Sequence, residues 1–222
     1  NVGLRIVGAT ASGNVVSGNF IGTNGKGTRE LNNSLQGVWI EDAPGNLIGG
    51  STTATRNLIS SNHWGVDLSG PSATGNRVQG NLIGTDITGA LAFSNEVDGV
   101  LIRGGASDNL IGGPSPETGN VIAFSRRDGV RIEGESIRNA ILTNSIFDNQ
   151  GLGIHLVAPL LRSTGPNLLR PAPVIDRVRS STNFTNIEGT LTSVPLTSFT
   201  IQFFANERLD PSGNGEGQRF LG

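Results

Sequence analysis

The chain lacks cysteine, methionine and tyrosine altogether, and Lys26 is its only lysine. Without cysteine there is no disulfide framework, no thiolate metal site and no cysteine nucleophile, and the redox compartment stays open. Without methionine, Asn1 is not an initiator residue, and the 222 residues read as a processed piece of something longer. Neither sign of charge dominates, with 16 Lys and Arg against 18 Asp and Glu. That excludes the broad cationic face that sequence-independent nucleic-acid binding requires. No apolar run approaches the roughly 18 residues of a membrane-spanning helix, and no signal-peptide pattern opens the chain. Hydrophobic content of 35% beside 33 glycines means many turns and a thin core, which disfavours a helical bundle.

What the chain has is self-similarity. A Gly followed by an aliphatic–x–aliphatic triplet recurs at Gly3, Gly37, Gly65, Gly99 and Gly129, and more loosely at Gly151, with spacings of 34, 28, 34, 30 and 22. Between these lie Asn-x-aliphatic motifs in two sets, beginning at Asn14, Asn46, Asn76, Asn109 and Asn139, and at Asn19, Asn57, Asn81, Asn120 and Asn144. Each repeat thus carries three very short alternating segments, the pattern of a three-sided coil of strands. Alternation turns Val38, Ile40, Val66, Leu68, Val100, Ile102, Val130 and Ile132 inward, each stacking on its equivalent about 4.8 Å away. The asparagines fall where the chain turns and can hydrogen-bond along the stack. Polar excursions at 23–34 and 85–96 alternate with others after Gly49-Gly50 and Gly112-Gly113, so loops leave from two corners in turn.

At these residues the sequence resembles the right-handed parallel β-helix repeats of the pectate-lyase-like superfamily. It is more closely similar to the Asn-x-Ile-Gly-Gly and Gly-Asn-x-Ile-Gly-Thr arrays of large secreted or surface-exposed bacterial proteins, here Asn109-Leu110-Ile111-Gly112-Gly113 and Gly80-Asn81-Leu82-Ile83-Gly84-Thr85. The resemblance covers 1–156 and implies an all-β fold: a right-handed parallel β-helix of about five to six rungs. Residues 157–173, rich in Pro, Leu and Arg, read as a linker or cap. Residues 174–222 read as the start of a β-sandwich-like module, with strands around 186–191 and 199–205, that stops short of completion.

Enzymes of that superfamily gather carboxylates and a basic residue on one outer face, so the outward files are where chemistry is sought. Two residues after the repeat glycines come Arg5, Trp39, Asp67, Leu101, Arg131 and Gly153, and four after come Val7, Glu41, Ser69, Arg103, Glu133 and His155. No carboxylate pair falls within one rung or on adjacent rungs of one file. Asp67 and Glu41, diagonal neighbours, are the candidate acid/base couple, against the plain reading of solvated outward charges. Arg103 is expected to pair with Glu133 on the adjacent rung. His63 and His155 lie too many rungs apart to share a metal. Trp39, His63 and Trp64 form a candidate platform for a sugar ring, with Phe93 on the neighbouring loop as a further contact; the competing reading packs each indole beneath a loop. Trp64 shares a corner file with Gln36, Asp98, Asp128 and Gln150, whose polarity suggests exposure. Asp210, Ser212 and Asn214 have the spacing of half a Ca²⁺ loop, but position 221 is Leu where the bidentate Glu belongs, so a glycine-rich hairpin fits better and no cofactor is called for. Sequons occur at Asn32-Asn33-Ser34 and Asn183-Phe184-Thr185.

The expectation is a non-catalytic extracellular or cell-surface module that binds a polysaccharide or a surface protein. Its alternatives are a carbohydrate-active lyase or hydrolase, and a unit of a filament built by end-to-end self-association.

Overall fold

The computed structural model describes residues 1–158, 165–169, 171–209 and 213–222. In chain order the strands of the repeat region are β1 (Leu4–Val7), β2 (Val15–Val16), β3 (Phe20–Ile21), β4 (Asn33–Glu41), β5 (Leu47–Gly49), β6 (Leu58–Ile59), β7 (Asn62–Ser69), β8 (Arg77–Gln79), β9 (Leu82–Ile83), β10 (Val100–Arg103), β11 (Leu110–Gly112), β12 (Val121–Ala123), β13 (Val130–Ile132), β14 (Ala140–Leu142), β15 (Ser145–Phe147) and β16 (Ile154–Leu156). Every third strand pairs in parallel, giving a six-stranded sheet β1-β4-β7-β10-β13-β16 and two five-stranded sheets, β2-β5-β8-β11-β14 and β3-β6-β9-β12-β15. The fold is all-β, and three long parallel sheets met in turn by one chain are what a parallel β-helix requires. Two- and three-residue strands suffice because each is held by the strands above and below rather than by its own length.

The inward stack follows the expected register. Ile6 lies opposite Ile40, Ile40 opposite Leu68, Leu68 opposite Ile102, and Ile102 opposite Ile132. The four inner members of this column have no exposed surface, and Ile6 at the open end is half-buried. The other two walls supply parallel columns through Ile48, Val78 and Ile111 and through Ile59, Ile83 and Ile122. Fully burying such a side chain contributes about 1.5–3 kcal/mol. The repeat glycines are explained by crowding: a Cβ on Gly65 would lie 2.3 Å from the Gly99 carbonyl oxygen, and one on Gly99 would lie 2.6 Å from Ile122 Cγ2.

The last repeat begins two residues later than its glycine pattern suggests. Ile132 pairs with Leu156 and Arg131 with His155, so Gly153 and not Gly151 opens the final strand. Gly151-Leu152-Gly153-Ile154 offers two glycine starts, and the in-register stacking of Ile154 on Val130 decides between them.

Asparagine ladders tie the corners. Asn14, Asn46, Asn76, Asn109 and Asn139 each give their backbone N–H to the side-chain oxygen of the next, and Asn139 passes the chain on to Asn167 at 3.0 Å. A second ladder runs Asn19, Asn57, Asn81, Asn120, Asn144. Asn81 has every hydrogen-bonding position filled: its Nδ2 donates to Ile48 O and Asn120 Oδ1, and its Oδ1 accepts from the N–H and Nδ2 of Asn57. A buried amide carries little penalty in that state. A third ladder that the Asn-x-aliphatic pattern does not mark runs Asn33, Asn62, Asn95, is broken at Ser125, and resumes at Asn149.

Beyond the coil, the Val174–Ser180 strand (β17) pairs antiparallel with Thr185–Thr190 (β18), and Phe204–Ala205 (β19) with Arg219–Phe220 (β20). The expected strand around 186–191 is present; the one around 199–205 shrinks to its last two described strand residues, and β17 was hidden by the alternating charges of Asp176, Arg177 and Arg179. The C-terminal segment sits against the end of the coil. The Ile146 N–H donates to Gly217 O at 3.0 Å, Ser145 Oγ donates to Gln218 O at 2.6 Å, and Gln202 Oε1 accepts the Thr143 N–H at 2.9 Å. Part of the 157–173 segment, expected as a linker or cap, lies outside the described residues; within it Asn167 extends the first ladder. Among the described residues no helix is long and apolar enough to cross a membrane.

Candidate functional site

The outer face of the six-stranded sheet is the place where side chains of different repeats are brought side by side, and it carries most of the sequence-predicted candidates. Asp67, expected in water, is fully buried. Its Oδ2 accepts from Gln36 Nε2 at 2.9 Å and Arg103 Nη2 at 2.9 Å, and its Oδ1 from Arg103 Nε at 3.2 Å. Burial of a carboxylate is tolerated because two donors face it from neighbouring strands. Arg103 therefore reaches back diagonally to Asp67 instead of pairing with Glu133. The register between β10 and β13 is the expected one, but a fully enclosed carboxylate attracts the guanidinium more strongly than an exposed glutamate does. Glu133 is taken by Arg131, Nε to Oε2 at 3.2 Å.

Glu41 does not join Asp67. It receives the Arg5 guanidinium, with Arg5 Nε 3.1 Å from Oε2. The same guanidinium carbon lies 4.3 Å from the centre of the Trp39 ring, so Arg5 covers that indole, whose Nε1 donates to Ser69 Oγ at 2.8 Å. Neither expectation for Trp39 holds in full: it is half-buried, and an arginine rather than a loop lies over it. Trp64 is also half-buried, with His63 edge-on at 4.3 Å and 87°. His63 Nδ1 is 3.0 Å from Glu96 Oε2, and this contact, ahead of the charge on Arg126, holds the Glu96 carboxyl below its ordinary range. Phe93 is half-buried on the excursion beside this group. The two excursions lean together until the Ile87 N–H reaches Gly27 O at 3.4 Å.

The corner file containing Trp64 is not exposed as its polarity suggests. Gln36, Asp98 and Asp128 are buried, and only Gln150, which falls out of register once Gly153 opens the last strand, is exposed. This file also holds what the outward files lacked: Asp98 and Asp128, at the corners leading into β10 and β13, with the Asp128 N–H donating to Asp98 Oδ1 at 3.2 Å. Burial, reinforced by the neighbouring Asp128 charge, pushes the Asp98 carboxyl up to about 6. Asp128 is surrounded by donors: Arg131 Nη1 lies 3.0 Å and His155 Nδ1 2.8 Å from its Oδ2, and the Leu152 N–H donates to its Oδ1 at 2.9 Å. The signal is present in the sequence as Asp-Gly at both repeat starts, one position before the repeat glycine and so outside the two files taken from it. His155, placed by the Gly151 spacing in the file of Glu133, belongs to this cluster because of the two-residue shift in the last repeat.

Asp98 is thus a carboxyl that holds its proton up to about pH 6, beside a second aspartate, and both are closed off from solvent. Among the described residues no three His, Asp or Glu converge as metal ligands. Asp210 and Ser212 of the half Ca²⁺ loop lie outside the described residues, and Asn214 is exposed. Comparison of the chain with protein-family models, curated proteins and solved structures finds no match.

Proposed function

We propose that the chain is a non-catalytic extracellular or cell-surface module, a right-handed parallel β-helix of five to six rungs over 1–156 that presents loops and an aromatic group to a polysaccharide or a surface protein. Handedness follows the strong bias of parallel crossover connections. The observation that carries the reading is the mutual consumption of the outer charges. Arg5 serves Glu41, Arg103 serves Asp67, Arg131 serves Asp128 and Glu133, and His63 serves Glu96. Groups so paired serve to hold the wall of the coil, which is the use the reading gives them. The half-exposed Trp64, with His63 beside it, remains for contact with a partner.

A second reading, a carbohydrate-active hydrolase or lyase, has one observation in its favour, the Asp98 carboxyl raised beside Asp128. The filament reading has less support, because Asn167, Gln202 and Glu216 occupy bonding positions on the C-terminal edge of the coil. Binding of the full chain to arrays of immobilised glycans and surface proteins tests the proposal. Binding that falls at least tenfold in Trp64→Ala with an unchanged thermal transition supports it; binding indifferent to both Trp64→Ala and Trp39→Ala overturns the assignment of the contact.

A further inference from the structure

A cavity of about 560 Å³ lies where the C-terminal segment meets the last turn of the coil, within the range of small-molecule sites. We propose that it is a sugar subsite, distinct from the Trp64 group, that takes a neutral or amino-bearing hexose unit and rejects a uronate. One part of its wall is aromatic. Phe124 and Phe147 line it with their rings 5.6 Å apart and nearly perpendicular, at 83°. Most of the remainder is amide and carboxylate, from Gln150, Asn206, Gln218, Asp148, Glu207 and Glu216, with Arg208 and Leu209 beside them.

Phe124 is the telling residue. The corner after each strand of the third sheet turns through a positive φ, at the second residue after the inward isoleucine in Ser61 and Asp148 and one residue earlier in Gly22 and Gly84. At this level the same corner is held by Phe124 at φ 58°, a conformation that costs a bulky side chain of order 1 kcal/mol or more. A glycine there would serve the turn better, and what the phenylalanine adds is an aromatic ring on the cavity wall. A pyranose presents a C–H face that packs on such a ring and a rim of hydroxyls that needs both donors and acceptors, which the amides supply.

Charge narrows the ligand. Among the described residues three carboxylates line the cavity against one guanidinium, that of Arg208, and Arg208 is spent on Asp148 through Nε at 2.9 Å and Nη2 at 2.7 Å. The surplus repels a uronate or sulfated unit, accepts hydroxyl protons, and tolerates an ammonium group. A lysine-rich peptide would satisfy the carboxylates but leave the amide donors and the Phe rings without use.

The inference shares with the reading above only the expectation of a glycan ligand, and the test separates the two. The full chain is titrated calorimetrically with cellotetraose, a glucosamine tetramer and a galacturonate tetramer. The expected result is binding of the first two and at least tenfold weaker binding of the third. Phe124→Gly should lose at least tenfold in affinity while its melting temperature holds or rises, because glycine relieves the strained corner. Glu207→Gln should narrow the discrimination against galacturonate about threefold, and Trp64→Ala should leave all three affinities unchanged. Absence of binding, equal binding of the galacturonate, or a Phe124→Gly protein that binds like the parent would overturn the proposal. Loss of binding in Trp64→Ala alone would overturn it while upholding the Trp64 contact.

Discussion

Asn149 gives both its backbone N–H, at 3.2 Å, and its Nδ2, at 3.1 Å, to the same carboxylate oxygen of Glu216. This is the contact that each ladder asparagine makes with the next, as Asn120 does with Asn144 Oδ1 at 3.0 and 2.8 Å. Glu216 therefore stands where a further ladder residue would stand. Its backbone copies the coil as well: a Cβ on Gly153 would lie 2.8 Å from Glu216 O, just as one on Gly129 would lie 2.8 Å from Gly153 O. The C-terminal segment ends the coil by imitating its next turn, which satisfies edge groups that would otherwise face water or another strand.

Glu216→Ala should accordingly lower stability by about 1–2 kcal/mol, the scale of lost hydrogen bonds to a charged group. Glu216→Gln, which keeps an acceptor oxygen at the same reach, should lose less than half of that. Amide hydrogen exchange at Asn149 and Ile146 reads the effect locally, and faster exchange in the Ala variant alone is the expected result.

Asp98 gives a pH dependence whose sign can be worked out. Its carboxyl titrates at about 6 in the folded chain against an ordinary 3.8, so between those values the folded state holds a proton that the unfolded state has lost. Stability contributed by this group therefore falls as pH rises from about 4 to 6 and is flat above. Asp98→Asn should match the parent near pH 3.5 and exceed it at pH 7 by on the order of 2 kcal/mol. Denaturant titrations of both proteins across that range measure the difference.

Arg103→Ala leaves the enclosed Asp67 carboxylate with Gln36 alone, and should cost about 2–3 kcal/mol. Arg103→Ala with Asp67→Asn should recover most of the loss, since the buried charge is then gone. Glu133→Ala should change stability by less than 0.5 kcal/mol. A double-mutant cycle checks the pairing directly, with strong coupling expected for Arg103 with Asp67 and little for Arg103 with Glu133.

Position along the ladder should matter as much as residue type. Asn81→Ala removes four buried hydrogen bonds and should cost about 3 kcal/mol, whereas Asn14→Ala, at the exposed end of its ladder, should cost under 1 kcal/mol. Thermal unfolding of the two variants measures the contrast.

Inward positions were legible because burial admits few residue types: the column from Ile40 to Ile132 can be read from glycine spacing alone. Outward partners were not, because a long side chain can reach along its file or diagonally and local dielectric decides. Arg103 illustrates this, choosing Asp67 over the nearer-seeming Glu133. The Asp98–Asp128 pair is hidden in the sequence because polarity in a corner file suggests exposure, whereas both residues are buried, Asp98 against the Asp128 N–H and Asp128 against Arg131 and His155. His155 was misplaced by two residues through the ambiguity of Gly151 and Gly153, which only stacking of Ile154 on Val130 resolves.

The central claim is that the outer charges hold the wall of the coil and perform no covalent chemistry. Product release from a panel of neutral and acidic polysaccharides, assayed by reducing ends and by unsaturated uronate absorbance, tests it most directly. The account predicts no release by the full chain from pH 4 to 8, and none gained or lost in Asp98→Asn or Asp128→Asn. Release from any polysaccharide that disappears in either variant would contradict it and make the Asp98–Asp128 pair an active site.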